Sequence, residues 1–148
     1  MRALIQRVNY AEVKVAGESV GKIGPGILAL IGMQKTDDEA AADKLLDRML
    51  AYRIFSDDED KMNLSLRDTG GGLLLVSQFT LAAATDRGLR PSFSSAMPPQ
   101  QASELYDYLV RRASETHGEA GEVETGQFAA DMKVSLENDG PVTFLLEV

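Results

Sequence analysis

Polar and apolar residues alternate along the opening of the chain, which is the pattern of half-buried β-strands. This pattern predicts strands over residues 3–8 and 11–15, with Asn9 and Tyr10 between them, and a continuously apolar third strand over 27–32. Glycines separate these runs and supply turn residues. The chain is therefore expected to open with a β meander.

Further along, apolar residues recur at helical spacing in two segments. The first segment runs through residues 41–49, and we expect Thr36 to cap its N-terminus with Glu39 as the capping-box partner. The second helix is expected to open at Pro98 or Pro99. With strands dominating the rest, two helices can cover one face of the sheets, which predicts a layered α/β domain.

Four more strands are expected in the second part of the chain. They cover residues 52–55, residues 73–76 after a run of three glycines, and the two terminal runs 128–136 and 141–148. Asn, Asp, Gly and Pro are strong turn residues. The segment Glu137–Gly140 is therefore expected to be a turn that joins the two terminal strands as a hairpin.

The bulk composition narrows the class of protein. A chain of 148 residues is expected to form one domain over 1–148 that needs no metal or disulfide to fold. Cysteine is absent, which excludes disulfides, thiol nucleophiles and thiolate metal sites. No secretion signal is visible, and the longest apolar run, 27–33, is too short to cross a bilayer, so we expect a soluble, cytoplasmic protein without a membrane partner.

The net charge of −8 disfavours broad binding to a phosphate backbone, so DNA is not an expected partner. An RNA partner would be held locally, at an end or an unpaired nucleotide. The acidic run Asp57–Asp60 lacks the spacing of a calcium loop and is expected to be a solvated turn. We expect neither a metal site nor a cofactor.

Two short motifs go beyond secondary structure. Ser77-Gln78-Phe79-Thr80 stands where an apolar strand becomes polar, and ligands often lie beyond the carboxyl ends of strands in α/β folds. Taken alone, this motif indicates the polar end of a core strand. Gly140-Pro141 has proline at the first position of a strand, where its missing N–H is tolerated, and by itself it indicates an ordinary turn.

Together, the two motifs resemble the D-aminoacyl-tRNA deacylases, which hydrolyse D-amino acids and glycine from mischarged tRNA. The resemblance extends over the whole chain and implies a homodimer of three-layer β-β-α sandwiches with barrel-like mixed sheets. It implies that Gly140-Pro141 is a Gly-cis-Pro element that each subunit inserts into the active site of the other. A wall of main-chain carbonyls there would leave room for hydrogen but not for an L side chain, and it could not exclude glycine.

The resemblance also implies individual residue roles. Ser77, Gln78, Phe79 and Thr80 would form the reaction centre, and Arg7 would hold the Gly-Pro element. Without the resemblance, Arg7 is either a solvated edge residue or a charge that needs carbonyl partners. Phe128 and Met132 would border the pocket of the terminal adenine at the tRNA 3′ end, whereas their pattern alone indicates a core strand. Arg87-Gly88-Leu89-Arg90-Pro91-Ser92-Phe93 also matches the family, and its arginines either contact phosphate or are solvated.

The catalytic group stays open at this point. Backbone N–H groups of Phe79 and Thr80 are the preferred oxyanion donors, because an aminoacyl ester is already activated and needs chiefly positioning. The rival is Thr80 as a covalent nucleophile, which requires a base. The only histidine, His117, is expected in a solvated loop over 114–121, so a Ser/His/Asp triad is not expected. Two other classes remain: a hydrolase of free D-amino-acid esters or N-acyl compounds, and a non-catalytic RNA- or protein-binding module.

Overall fold

A computed structural model describes all 148 residues. It contains eight strands, three α-helices and one 3₁₀ turn. In chain order these are β1 Arg2–Val15, β2 Glu18–Ile23, β3 Gly26–Gly32, α1 Glu39–Ala51, β4 Phe55–Ser56, β5 Met62–Leu64, α2 Leu66–Thr69, β6 Gly72–Ser77, the 3₁₀ turn Phe79–Ala82, α3 Pro99–His117, β7 Val123–Thr125 and β8 Met132–Glu147.

The main sheet has six strands and is built around β1. Its order is β2-β1-β3-β6-β7, with β8 paired along the free side of β1. The pairs β3–β6 and β6–β7 are parallel, and the pairs of β1 are antiparallel. The two ends of the order approach one another, since a Cβ added to Gly21 would lie 2.2 Å from the Thr125 carbonyl oxygen. The α/β class and the barrel-like mixed sheet are therefore confirmed, whereas the three-layer division stays a prediction.

The first two predicted strands are one strand. β1 runs without a break from Arg2 to Val15, and its register against β8 shifts around Asn9. Val8, Ala11 and Val13 all belong to one apolar cluster, although an uninterrupted alternation would place Val8 on the opposite face. The polar pair predicted as a connection is therefore a bulge that changes the phase of the alternation.

The predicted terminal hairpin is wrong in the same way. β8 continues from Met132 to Glu147 along β1 and does not reverse at residues 137–140. Residues 139–142 instead stand opposite Arg7 alone, so the turn chemistry produces a wide bulge within a long strand. The last strand also begins later than expected, because Phe128 lies before Met132 outside any strand.

Helices α1 and α3 cover one face of the sheet, as expected. The face beneath them is fully buried and includes Ile5, Ile31 and Leu75. A smaller cluster that includes Leu28, Leu74 and Val76 fills the opposite, concave face. No helix is long and apolar enough to span a membrane.

Several helix and strand boundaries correct the sequence predictions. The N-cap of α1 is Asp38, whose carboxylate accepts from the Ala41 N–H at 2.9 Å, so the prediction of Thr36 is wrong by two residues. The short helix α2 was not predicted; Ser65 and Asp68 form its capping box. The strand expected over 52–55 is reduced to Phe55–Ser56.

Candidate active site

A cavity of about 910 Å³ opens at the carboxyl ends of β3 and β6, next to the start of β8. This volume lies near the upper end of the ~300–1,000 Å³ range that is usual for small-molecule sites. Most of its lining is apolar. The lining residues are Gln6, Leu28, Leu30, Met33, Val76, Ser77, Gln78, Phe79, Phe93, Ala96, Met97, Pro98, Pro99, Ala102, Phe128, Ala129, Ala130, Asp131, Met132, Val134 and Leu136.

One wall of the cavity is formed by Ser77, Gln78 and Phe79, and Thr80 follows directly beside it. The Gln78 N–H donates to the Ile31 carbonyl at 2.7 Å, which ties the end of β6 to the end of β3. The chain then enters the 3₁₀ turn, in which the Leu81 N–H donates to the Gln78 carbonyl at 3.1 Å. The N–H groups of Phe79 and Thr80 open this turn, and the first N–H groups of a helical turn have no partner within it. They are therefore available to a ligand oxygen.

The side chains of this wall are partly solvated. Thr80 is exposed, and its hydroxyl oxygen accepts from the Gln78 side-chain amide at 2.6 Å. Phe79 is 62% exposed and its ring lies 5.2 Å from that of Phe93, measured between centroids. A polar hydroxyl and a pair of aromatic rings thus stand at the open side of the cavity.

Phe128 and Met132 form another part of the cavity lining. The Phe128 ring lies 6.0 Å from the ring of Tyr106, which belongs to α3 and is buried on its inner face. The Tyr106 hydroxyl donates to the Leu75 carbonyl at 2.8 Å, and the Gly126 N–H donates to the same oxygen at 2.8 Å. Burial raises the pKa of Tyr106 well above its usual value, so its hydroxyl stays a neutral donor that fixes this wall to β6.

Gly140 and Pro141 lie outside the cavity. Both are exposed, they are joined by a cis peptide bond, and neither lines the cavity of their own chain. Gly140 has φ +122°, and a Cβ there would lie 2.9 Å from Val142 Cγ2. Only glycine fits this backbone without strain.

Arg7 holds the base of this bulge. Its Nε donates to the Asp139 carbonyl at 3.1 Å and lies 3.0 Å from the Asp139 carboxylate, while its Nη1 donates to the Ile54 carbonyl at 2.7 Å. The side chain is only 12% exposed and lies on the central strand β1. The solvated-edge interpretation is therefore wrong, and carbonyls are the partners that the charge requires.

His117 corrects another prediction. It is the last residue of α3, is 1% exposed, and its Nε2 lies 2.8 Å from the Gly71 carbonyl oxygen. The solvated loop is wrong because the helix extends further than its polar sequence indicated and packs its end against the start of β6. The expected solvated turn over Asp57–Asp60 is found: its four residues are solvent-accessible, and Asp57 accepts several bonds within the turn.

The structure thus brings together Ser77, Gln78, Phe79, Phe128 and Met132 around one cavity, with Thr80 beside it. It does not bring Arg7, Gly140 or Pro141 to that cavity within one chain. Sequence reasoning missed Gln6, whose signal is a polar residue on the same face of β1 as the apolar Leu4. No group of three or more His, Asp or Glu side chains is arranged to hold a metal ion.

The chain is thus a small α/β protein with an apolar, ligand-sized cavity that is bordered by the start of a 3₁₀ turn. Residues 4–147 match the family model for D-Tyr-tRNA(Tyr) deacylase. Relatives named D-aminoacyl-tRNA deacylase include that of Stutzerimonas stutzeri (strain A1501), 61% identical over 99% of both chains. That of Cronobacter sakazakii (strain ATCC BAA-894) is 57% identical over the full length of both. The chain belongs to the D-Tyr-tRNA(Tyr) deacylase family, a family of hydrolases that act on ester bonds.

Solved structures agree with this membership. One described as "c-Myc DNA Unwinding Element Binding Protein" superposes with a TM-score of 0.94 at 37% identity and covers 100% of this chain and 99% of its own. A probable eukaryotic D-amino acid tRNA deacylase superposes with a TM-score of 0.85 at 18% identity, covering 99% of this chain and 98% of its own, which supports the fold alone. The DNA binding that the first of these names mentions is a property of that solved protein and is not transferred to this chain.

Proposed function

We propose that this protein is a cytoplasmic chiral proofreading enzyme that hydrolyses D-aminoacyl-tRNA and mischarged glycyl-tRNA and spares L-aminoacyl-tRNA. Its substrate is the aminoacylated 3′ end of tRNA, and it uses neither a metal nor another cofactor. The active form is a homodimer in which Gly140-Pro141 of one subunit completes the cavity of the other.

The separation of the exposed Gly140-Pro141 segment from the cavity of its own chain carries this proposal. The lining of that cavity comes from a single chain, while the segment with cis Gly140-Pro141 projects from β8 beyond the lining residues. Gly140, with φ +122°, lies in an exposed segment whose base is anchored by Arg7, so this segment has a defined conformation at the surface. Insertion into the cavity of a second copy gives the segment a binding role.

An apolar row on the sheet supports the second copy as the partner. Leu30, Leu4 and Leu145 stand side by side on three adjacent strands, on the face opposite α1 and α3. Leu145 is 50% exposed. Gln6 of the next row lines the cavity, so an interface on this face would reach the edge of the site. A two-fold interface would bring the same surface, with its Gly-Pro element, from both subunits.

The chemistry we propose needs no protein base. Phe128 and Met132 border the terminal adenine, which places the ester near the N–H groups of Phe79 and Thr80. These donors stabilise the oxyanion that forms when water attacks the ester carbonyl. The ribose 2′-OH of the tRNA directs that water. His117 contributes nothing, because it is buried at the far end of α3 and already bound to Gly71.

The Gly-Pro element supplies the discrimination. L- and D-amino acids exchange hydrogen and side chain at Cα, so a backbone wall that admits only hydrogen at one position excludes the L form. The wall does not contact the side chain of an accepted D-residue and should accept many D-amino acids. Glycine carries hydrogen at both positions, so it also passes.

Hydrolysis of charged tRNA tests the proposal. We expect the purified protein, with a chelator present, to release amino acid rapidly from D-Tyr-tRNA and Gly-tRNA and to spare L-Tyr-tRNA. A folded dimer that releases nothing from D-Tyr-tRNA would overturn the assignment. Equal rates on D-tyrosine esters that lack any nucleoside would favour the general ester hydrolase, and binding without turnover would favour the RNA-binding module.

A further inference from the structure

Two exposed aromatic rings at the mouth of the cavity have no role in the chemistry above. Phe79 is 62% exposed and Phe93 is 43% exposed, and their ring centroids are 5.2 Å apart. The proposed oxyanion donor is the backbone N–H of Phe79, so its ring is free for another task. Both side chains line the cavity that Phe128 and Met132 also border.

The position of Phe93 is fixed by its neighbours. Ala84 and Ser92 exchange two backbone hydrogen bonds, of 2.9 and 3.0 Å, immediately before it. The Ala96 N–H donates to the Phe93 carbonyl at 3.1 Å, and the Met97 N–H donates to the Met33 carbonyl at 3.0 Å. The aromatic side chain is thus held at the mouth by a backbone frame, although its ring remains accessible. A pre-arranged exposed ring costs little further ordering when a flat ligand stacks on it.

The dimensions and charge of the region favour a nucleobase as that ligand. The cavity, of about 910 Å³, lies near the upper end of the ~300–1,000 Å³ range of small-molecule sites. The bridge between Ala84 and Ser92 closes a loop. This loop contains two arginines, Arg87 and Arg90, and only one acidic residue, Asp86, whereas the whole protein has a net charge of −8. Arg87 is 94% exposed. Aromatic rings beside exposed arginines are the usual elements of single-stranded RNA sites.

We propose that the rings of Phe79 and Phe93 form a stacking platform for the penultimate base of the tRNA 3′ end. This inference rests on the proposed function and extends it from the terminal adenosine to a second nucleotide. With the terminal adenine between Phe128 and Met132, the preceding nucleotide leaves the cavity through its mouth, where the platform lies. Stacking on it adds binding energy without reading the base, because every base presents a π-face.

Hydrolysis of two small esters tests the platform. D-tyrosyl-adenosine reaches only the terminal pocket, whereas the D-tyrosyl ester of the dinucleotide cytidylyl-adenosine also reaches the mouth. We expect kcat/KM for the dinucleotide ester to exceed that for the adenosine ester by about ten-fold or more. In Phe93→Leu this ratio should fall towards one, and in Phe93→Tyr, which keeps the ring, it should be retained. Phe144→Leu is the matched control, because Phe144 is also exposed and paired with an aromatic ring, that of Tyr52.

If both small esters are hydrolysed too slowly for kcat/KM to be measured, a binding measurement tests the platform instead. The probe is a non-hydrolysable 3′-amide of the same dinucleotide with fluorescent pyrrolo-cytidine at the penultimate position. Stacking should quench its fluorescence in the unaltered protein and much less in Phe93→Leu. A ratio near one in the unaltered protein, a ratio that survives in Phe93→Leu, or unquenched binding would overturn the platform. Failure to hydrolyse even D-Tyr-tRNA would instead overturn the proposed function, so the two failures are distinguishable.

Discussion

The cavity and the Gly140-Pro141 segment are built in opposite ways. The cavity is formed by buried strand ends and a helix, and its walls are tied together through main-chain carbonyls such as that of Leu75. The Gly140-Pro141 segment is an exposed bulge on β8, held chiefly through one arginine. A single chain can therefore complete the first region but leaves the second without a contact surface. Under the proposed function, binding would belong to the first of these regions and discrimination to the second.

The largest effect is expected where the two regions would meet between subunits. Leu145→Asp places a charge in the apolar row, and burying it in an interface costs several kcal/mol. We expect a folded monomer with about 100-fold or greater loss of kcat/KM on D-Tyr-tRNA. Sedimentation and hydrolysis measure the two outcomes, with Val20→Asp, exposed on β2, as control. An active monomer would contradict the contribution of the second subunit.

The next effect concerns the conformation of the bulge. Gly140→Ala forces a Cβ against Val142 at φ +122°, which should cost about 1–3 kcal/mol locally and displace the element. We expect hydrolysis of D-Tyr-tRNA to fall about ten-fold or more and discrimination against L-Tyr-tRNA to weaken. Gly17→Ala is the control, since Gly17 also has positive φ but open space around its Cβ position. If Gly140→Ala discriminated against L-Tyr-tRNA as well as the unaltered protein does, the Gly140-Pro141 segment would not be the chiral filter.

The anchor of the bulge comes third. Arg7→Ala removes donors from the Asp139 and Ile54 carbonyls, so the free energy of unfolding should fall by about 2–3 kcal/mol. Discrimination against L-Tyr-tRNA should weaken as well. Arg48→Ala is the control, because Arg48 also donates to a main-chain carbonyl of β8 but at an exposed position. Urea unfolding and paired D- and L-substrate assays give the comparison, and full discrimination in Arg7→Ala would contradict an anchoring role.

The fourth effect concerns Tyr106, which fixes one wall of the cavity: its substitution should change the free energy of unfolding and the dependence of that free energy on pH. Tyr106→Phe removes the bond to the Leu75 carbonyl and should cost about 1 kcal/mol. Burial raises the pKa of Tyr106, so the unfolded chain loses this proton above about pH 10 while the folded protein keeps it. The unfolded state then binds fewer protons, and the free energy of unfolding falls as pH rises. This fall should be smaller in Tyr106→Phe than in the control variant Tyr10→Phe, because the ring of Tyr10 is exposed. Equal falls in the two variants would contradict the contribution of Tyr106.

The smallest effect is expected at Thr80. If its N–H is the catalytic group, Thr80→Ala leaves that donor in place and removes only the hydroxyl bonded to Gln78. Turnover of D-Tyr-tRNA should then change by less than about three-fold, whereas loss of a nucleophile abolishes covalent catalysis. Single-turnover hydrolysis with Thr80→Ser as the matched variant distinguishes the two. Activity retained only by Thr80→Ser would identify the hydroxyl as the nucleophile.

The sequence was sufficient to predict the fold class and most of the residues that line the cavity. Alternation and helical spacing located β1, β3, β6, α1 and α3, because each of these elements buries a regular face. The same rules failed around Asn9 and at 137–140, where strong turn residues form bulges on strands that continue. A tight turn and a bulge use the same residue types. Only the long-range pairing of β1 with β8 shows that these two segments are bulges.

By itself, the sequence determined the family, the class of ester hydrolase, and the motifs that border the cavity. These follow from short-range patterns and from the pair of motifs at residues 77–80 and 140–141. The tertiary structure decided that His117 is buried against Gly71, that Arg7 is bonded to carbonyls, and that Gly140 and Pro141 lie outside their own cavity. Those facts depend on which distant strands pair and in what register, and a linear pattern of residues carries no direct record of either.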